Sequence, residues 1–389
     1  MSFIAGPRQI GKTTAVQRFL KEEGQDHLYY NWDTATVKRK YIANPLFFIE
    51  DIPSDHNQSW VAFDEIHKYP KWKNLLKGYY DEWHEKTQFI VTGSARLDLF
   101  RRSGDSLVGR YFLFKMLPLG VREIVSNPRS SPNPEWTPKD ASPIFPEANR
   151  DFGEALDHLI HLTGYPEPLS VGTEEFYTRW RDQHISLILH EDLRDLTKIT
   201  QIQKLETLLY LLPERIGAPL SLNSLVTPLE VAHGSIRSWL EAMKRVYLIF
   251  SIKPWTARLS RSILREEKYY FWDWGMADKV GAKFENFVAV QLQRAISCWN
   301  EKGKGNFQLH YIRTKEGQEI DFAITNKNKV VLLIEAKENE TSLSKSLPYF
   351  QEKVQSDLAI QVVNKRNIYI QKGKGLYIVG ADRLFSLLP

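Results

Sequence analysis

Two groups of residues in this sequence have the types and spacing for phosphate chemistry. The first is Gly6-Pro7-Arg8-Gln9-Ile10-Gly11-Lys12-Thr13, which fits the pattern G-x-x-x-x-G-K-[ST] and follows the apolar run Phe3-Ile4-Ala5. In such a loop the backbone N–H groups point inward at phosphates and Lys12 reaches the β- and γ-phosphate oxygens. The Thr13 hydroxyl binds Mg²⁺, and a helix opening at Thr13-Thr14-Ala15 adds its positive dipole end. Alone, the string also reads as a glycine turn between a strand and a helix. Trp60-Val61-Ala62-Phe63-Asp64-Glu65 weighs against that, because a buried strand ending in two acids delivers carboxylates at the edge where α/β sheets bind ligands. Asp64 is then a Mg²⁺ ligand and Glu65 the group that orients the attacking water. A third strand, Gln88 to Thr92, runs into Gly93-Ser94-Ala95-Arg96. Ser94 there could position the water, sense the terminal phosphate, or cap a helix.

The second group lies in the last third. Gly317-Gln318-Glu319-Ile320-Asp321-Phe322 puts an acid inside an apolar strand, and Val330 to Ile334 is a nearly all-apolar strand ending in Glu335-Ala336-Lys337. Alternation along that strand sets Glu335 and Lys337 on one face, and a hairpin brings Asp321 to them. Two acids and a lysine at one strand end fit a metal-dependent phosphodiesterase. Asp321 and Glu335 would hold Mg²⁺ or Mn²⁺, and Lys337 would position hydroxide or stabilise the phosphorane. Glu285, in the helical run Phe284 to Val288, is a further candidate carboxylate ligand. The same residues also read as a solvated salt-bridge cluster.

The elements that must position these residues follow from pattern. Up to residue 125, short apolar strands alternate with helical stretches, as in a parallel sheet with crossover helices. Residues 126–150 hold six of the chain's 19 prolines among Ser, Asn and Asp and read as a linker or long loop. Residues 151–205 look helical, with an interruption at Gly164-Tyr165-Pro166-Glu167-Pro168. Helices beginning near Leu222 and Ser235, then the strand Tyr247 to Ile252, resemble a helix-turn-helix with a wing. Arg237, Lys244 and Arg245 around the second helix could face a phosphate backbone or form a solvated face.

Composition excludes other classes. The 389 residues are 42% hydrophobic and 25% charged, which is ordinary globular usage and room for two or three domains. One cysteine, Cys298, excludes an intramolecular disulfide framework and reads as a small core residue of a cytoplasmic protein. No apolar run approaches a membrane span and nothing ahead of the loop reads as a signal peptide, so no membrane partner is expected. A formal charge of +5 and a pI near 8.9 permit a nucleic-acid partner without requiring one.

The stretches GPRQIGKTT, FDEIHKYPKWKNLLKGYYDE, FIVTGSARL, SLVGRYFLFKMLPL, GYPEPL, EDLRDL, WDWGMA, FENFVAVQL, YIRTKEGQEIDF and LIEAK occur in that order from Gly6 to Lys337. In them the chain resembles a prokaryotic family of AAA-type ATPases with a C-terminal PD-(D/E)xK-like domain. The resemblance implies an α/β fold: an AAA+ core at 1–125, a helical lid region at 151–205, a winged helix at 206–255 and a restriction-endonuclease-like domain at 260–389. It implies ATP and Mg²⁺ as cofactors and a homo-oligomer with ATP sites between subunits. Ser94 falls on the sensor position. Arg110 falls near the arginine finger, with Arg101 and Arg102 as rivals and a plain strand-edge cation as the alternative. The family usually has a few dozen residues before the phosphate loop, where this chain has five, and the stretch between Gly275-Met276-Ala277 and Phe284 is shorter than usual. Two functions are expected from this. One is an ATP-driven protein acting on nucleic acid, DNA first, with a Mg²⁺-dependent nuclease domain. The other is a nucleotide-gated scaffold whose winged helix packs protein and whose nuclease fold is inactive.

Overall fold

The computed structural model describes residues 1–53, 58–93, 107–125, 136–140, 145, 147, 150–193, 201–256 and 266–389. It forms two compact units, Met1–Leu117 with Arg245–Tyr247, and Pro118–Lys244 with Leu248–Pro389. Most of the proline-rich stretch lies outside the described residues.

In the first unit the elements are β1 (Ser2–Ala5), α1 (Lys12–Glu22), β2 (Tyr29–Asn31), α2 (Ala35–Ala43), α3 (Phe47–Glu50), β3 (Ser59–Asp64), α4 (Trp72–Trp83), β4 (Thr87–Thr92) and β5 (Phe112–Lys115). The five strands make one sheet in the order β2-β3-β4-β1-β5, with every pairing parallel. Helices cover such a sheet, which is why its central strands are apolar along their length. One face packs an aromatic core that includes Phe3, Tyr30, Phe48, Phe63, Tyr79 and Phe89. Phe63 and Phe89 stack at 6.1 Å across neighbouring strands. The other face takes Val16 and Leu20 of α1 against Ala62 and Ile90. Register then places the chemistry: Asn31 pairs with Asp64, Asp64 with Thr92, and Thr92 with Ile4. The phosphate loop therefore leaves β1 beside the carboxyl ends of β3 and β4.

The second unit begins with helices α5 (Val121–Val125), α6 (Arg150–His161), α7 (Pro166–Val171), α8 (Glu174–Leu187), α9 (Ile202–Leu211), α10 (Asn223–Leu229) and α11 (His233–Arg245). There follow β6 (Ile249–Pro254), β7 (Lys268–Phe271), α12 (Val280–Glu301), β8 (Phe307–Arg313), β9 (Glu319–Asn326), β10 (Lys329–Lys337), α13 (Ser346–Val354), β11 (Ala359–Val363), β12 (Tyr369–Gly373), β13 (Leu376–Gly380) and α14 (Ala381–Leu387). The strands form one mixed eight-stranded sheet, β12-β13-β11-β10-β9-β8-β6-β7. Antiparallel β8-β9-β10 carries its middle, and α13 crosses from β10 to the parallel β11. The 22-residue α12 buries Phe284, Phe287, Val288, Leu292 and Ile296. The strand expected as a wing, β6, pairs antiparallel with β7 but also runs parallel to β8, Lys253 opposite His310. Segments read from sequence as a winged helix and a separate C-terminal domain thus share one sheet.

Candidate functional site

The phosphate loop is shaped by backbone conformations that few side chains tolerate. Gly6 has φ +157°, and a Cβ there would lie 2.0 Å from the Met116 carbonyl oxygen, so the turn out of β1 accepts only glycine. Gly11, at φ +94°, starts α1, and the Ala15 N–H donates to its carbonyl at 2.9 Å. Lys12 is buried, and its Nζ donates to the carbonyls of Gly6 at 3.0 Å and Pro7 at 2.6 Å, which holds the amine inside the loop. Thr13 and Thr14 stand exposed on the first turn, Arg8 is half-buried, and Ile10 anchors the loop in the core.

Asp64 gathers the rest. Thr13 Oγ1 donates to Asp64 Oδ2 at 2.8 Å, Tyr29 OH donates to the same oxygen at 2.5 Å, and Thr92 Oγ1 donates to Oδ1. Burial, then the neighbouring Asp64, holds the Tyr29 phenol well above its ordinary range, so it remains a donor. A threonine hydroxyl fixed beside a buried carboxylate is the oxygen set that Mg²⁺ takes, together with phosphate and water. This arrangement fits a nucleotide-bound metal. Glu65 follows with φ +56°, a left-handed conformation uncommon for a non-glycine residue, and its N–H donates to the Thr92 carbonyl at 3.0 Å. That conformation caps the short turn Ile66–Lys68 and sets the Glu65 carboxylate 3.6 Å from Lys68 Nζ and 3.5 Å from His67 Nε2. Burial, and to a smaller extent Asp64 and Asp33, raise its proton affinity against Lys68 and Lys12. A carboxylate raised in this way is a stronger proton acceptor than a solvated one.

Ser94, Arg101 and Arg102 lie outside the described residues. Arg110 lies at the opposite edge of the sheet, just ahead of β5, where its carbonyl accepts the Met1 amino group at 2.9 Å. Its guanidinium grips Asp81 of α4, Nε at 2.6 Å and a terminal nitrogen at 3.2 Å. It therefore stands at the sheet end away from its own phosphate loop. Sequence reasoning missed Tyr29, Thr92 and Lys68, which reach the site only through parallel register and a turn.

In the second unit the hairpin forms as expected. Phe322 pairs with Ile334, and Asp321 Oδ2 accepts the Ala336 N–H at 2.9 Å. Glu335 and Lys337 share a face, with Lys337 Nζ 3.0 Å from Glu335 Oε1. Ser344 Oγ donates to the same oxygen at 3.4 Å. Glu335 Oε2 is buried and has no hydrogen-bond partner among the described residues. Glu285 enters from α12, where Tyr270 OH donates to its Oε1 at 2.8 Å. Burial, then Asp321, push both the Glu285 and Glu335 carboxyls up to about 7. Among the described residues no three His, Cys, Asp or Glu side chains already stand in metal-binding geometry. Asp321 and Glu335 nonetheless fit one hard cation, since Mg²⁺ is commonly held by one or two carboxylates, and the orphaned Glu335 oxygen lacks a partner of that charge. Sequence reasoning missed Lys268 and Glu319. Glu319 carried a signal, since it alternates with Asp321 on one strand face. The cations expected around the second helix are not all open: Lys244 is paired with Glu241 at 2.5 Å and Glu267 at 3.4 Å, while Arg237 is exposed.

Comparison with known proteins gives a match for three stretches of the chain. Residues 1–125 match the AAA domain family, residues 153–285 a domain of unknown function (DUF8612), and residues 280–382 another (DUF4143). An uncharacterized protein of Mycobacterium tuberculosis is 24% identical over 336 residues, 82% of this chain and 66% of that protein; one of Mycobacterium bovis matches equally. An uncharacterized protein of Methanocaldococcus jannaschii is 23% identical over 288 residues, 69% of this chain and 59% of that protein. The chain thus spans under two thirds of the length of each of these relatives. The solved structure of the Aeropyrum pernix ORC1 protein in complex with DNA overlaps 75% of this chain and 88% of that one. Its 14% identity and TM-score of 0.31 are too low to support any argument. No helix among the described residues is long and apolar enough to cross a membrane. Residues 1–125 are thus similar to the AAA domain family.

Proposed function

We propose that this chain hydrolyses Mg²⁺-ATP in its first unit and cuts nucleic acid, DNA in the first instance, at a divalent-metal site in its second. The observation that carries the ATPase reading is the Thr13–Asp64–Thr92 hydrogen-bonded set at the mouth of a glycine loop that also encloses Lys12. Lys12 leaves its loop carbonyls to bind phosphate oxygens, Thr13 and Asp64 hold the metal, and Glu65 takes a proton from the attacking water. A Mg²⁺ held there would offset the charge that builds on the transferring phosphoryl group. Arg110 serves a neighbouring subunit's nucleotide, which requires a homo-oligomer.

For the second unit, Asp321 and Glu335 would hold the metal, and Lys337 would stabilise negative charge on the phosphorane. The buried, unpartnered Glu335 oxygen supports this over a solvated cluster. Both halves are tested with one panel: wild type, Glu65→Gln, Glu335→Gln and Lys337→Ala, each assayed for ATP turnover and for Mn²⁺-dependent cleavage of plasmid, single-stranded DNA and RNA. Glu65→Gln is expected to bind ATP normally and turn over at least about a hundredfold more slowly, within the usual range for a lost general base. The C-terminal variants keep ATPase and lose cleavage. Wild-type turnover by Glu65→Gln would refute the first site. Failure of clean wild-type protein to cut any substrate would refute the second and favour a nucleotide-gated scaffold.

A further inference from the structure

Neither the phosphate loop nor the Asp321–Glu335 pair uses the buried lysine of β7, Lys268. Lys268 has no solvent exposure, yet its Nζ stands 2.5 Å from Glu319 Oε1, 3.6 Å from Glu285 Oε1 and 4.0 Å from Asp321 Oδ1. It also lies 5.3 Å from the centre of the Tyr311 ring. An ammonium this deep is tolerated only because carboxylates surround it, and the same carboxylates are tolerated because of it. The pocket around it is fixed. Tyr270 donates to Glu285, and Gly217, at φ +76°, packs so closely that a Cβ there would stand 2.5 Å from Glu285 Oε2.

Asp321 divides the cluster. Its Oδ1 faces Lys268, while its Oδ2 accepts from β10, where the Glu335 Oε2 atom is buried without a partner among the described residues. Two-metal phosphodiester sites place their ions about 3.5–4 Å apart, clamped on both sides of the reacting phosphate. In this cluster Asp321 would be the bridge, with Glu335 flanking one ion and Glu285 and Glu319 the other. The second of those positions already holds a cation that belongs to the chain.

We infer that Lys268 is a built-in cation that fills the Glu285–Glu319 side of the cluster and limits the C-terminal site to one divalent ion, taken between Asp321 and Glu335. This rests on the metal-binding reading of that site. Lys268 touches no substrate and acts as a positioning residue.

The test counts ions. Mn²⁺ is titrated into the nucleotide-free full chain by calorimetry and by electron paramagnetic resonance, with Glu335→Gln as the blank that removes binding elsewhere. Wild type is expected to bind one ion at this site and Lys268→Met two. Two ions in wild type, or one in Lys268→Met at unchanged affinity, overturns the inference and leaves the metal site standing. No ion in wild type but one in Lys268→Met overturns the metal reading of the native site while supporting Lys268 as the resident cation. No ion in either overturns both. Should Lys268→Met fail to fold, Glu319→Gln serves instead. It removes the carboxylate nearest Lys268, so the single ion remains with affinity within about threefold, and a loss of tenfold or more overturns the inference.

Discussion

At the residue scale, each site is a carboxylate whose neighbours decide what it can do. Asp64 accepts from three hydroxyl donors, whereas Glu335 keeps one buried oxygen without a partner among the described residues. The second condition has a signature in solution. The Glu335 carboxyl sits at about 7 in the fold against an ordinary 4.5, through burial and then Asp321. A carboxyl raised in this way binds its proton more tightly folded than unfolded. Its stabilising contribution is complete below pH 4.5, declines as pH rises, and is gone above about 7. In metal-free buffer the thermal midpoint of wild type is therefore expected to drop between pH 5 and 8 by more than that of Glu335→Gln, which has nothing to ionise. Equal slopes in the two proteins would show that the buried charge costs nothing. The residues that titrate or bind were unevenly legible in the sequence. The loop Gly6 to Thr13 and the strand ending Asp64-Glu65 are local strings whose chemistry travels with their spacing. Tyr29, Thr92 and Lys268 come from strands distant in sequence and reach their partners only through pairing register, which no single string encodes.

At the element scale, strands were legible because a sheet buried on both faces demands continuous apolar runs, as in Val61 to Phe63 and Phe89 to Val91. Sheet membership was not. Alternation identifies β6 as a strand, but whether it ends as a wing or joins β8 depends on residues beyond residue 300. Two stretches quoted for their resemblance turn out to form a joint within the second unit. Asp273 of the WDWGMA run accepts from Thr163 at 2.8 Å and Tyr177 at 3.0 Å, and the Leu119 N–H donates to the carbonyl of Gly164, the first residue of GYPEPL. Strand β5 makes the next prediction. Two residues ahead of it, Arg110 is at the sheet end remote from its own loop and is held by Asp81. Arg110→Ala is expected to leave nucleotide affinity within about threefold and cut turnover by a thousandfold or more, as loss of an arginine finger does. Mixing it with Lys12→Ala subunits should restore part of the activity. Turnover that is independent of protein concentration, with no rescue on mixing, would rule out a role in trans.

At the scale of the whole molecule, the phosphate loop lies in the first unit and the Asp321–Glu335 cluster in the second. The second unit does not divide where composition suggests. A cut after residue 255, the boundary that sequence organisation favours, would leave β7 without its partner β6 and strip β8 of the strand beside it. Fragment 260–389 is therefore expected to be insoluble or oligomeric by light scattering, while fragment 118–389 is expected to be monodisperse. A well-behaved 260–389 fragment would show that β6 contributes little. The pairing of Lys253 with His310 also bears on crowded conditions. Wherever β6 peels away, β8 presents a row of bare amides and carbonyls to other chains, a ready template for edge-to-edge growth. Strand β6 covers the β8 edge at Lys253 and Pro254, and loss of that pairing is expected to favour self-association.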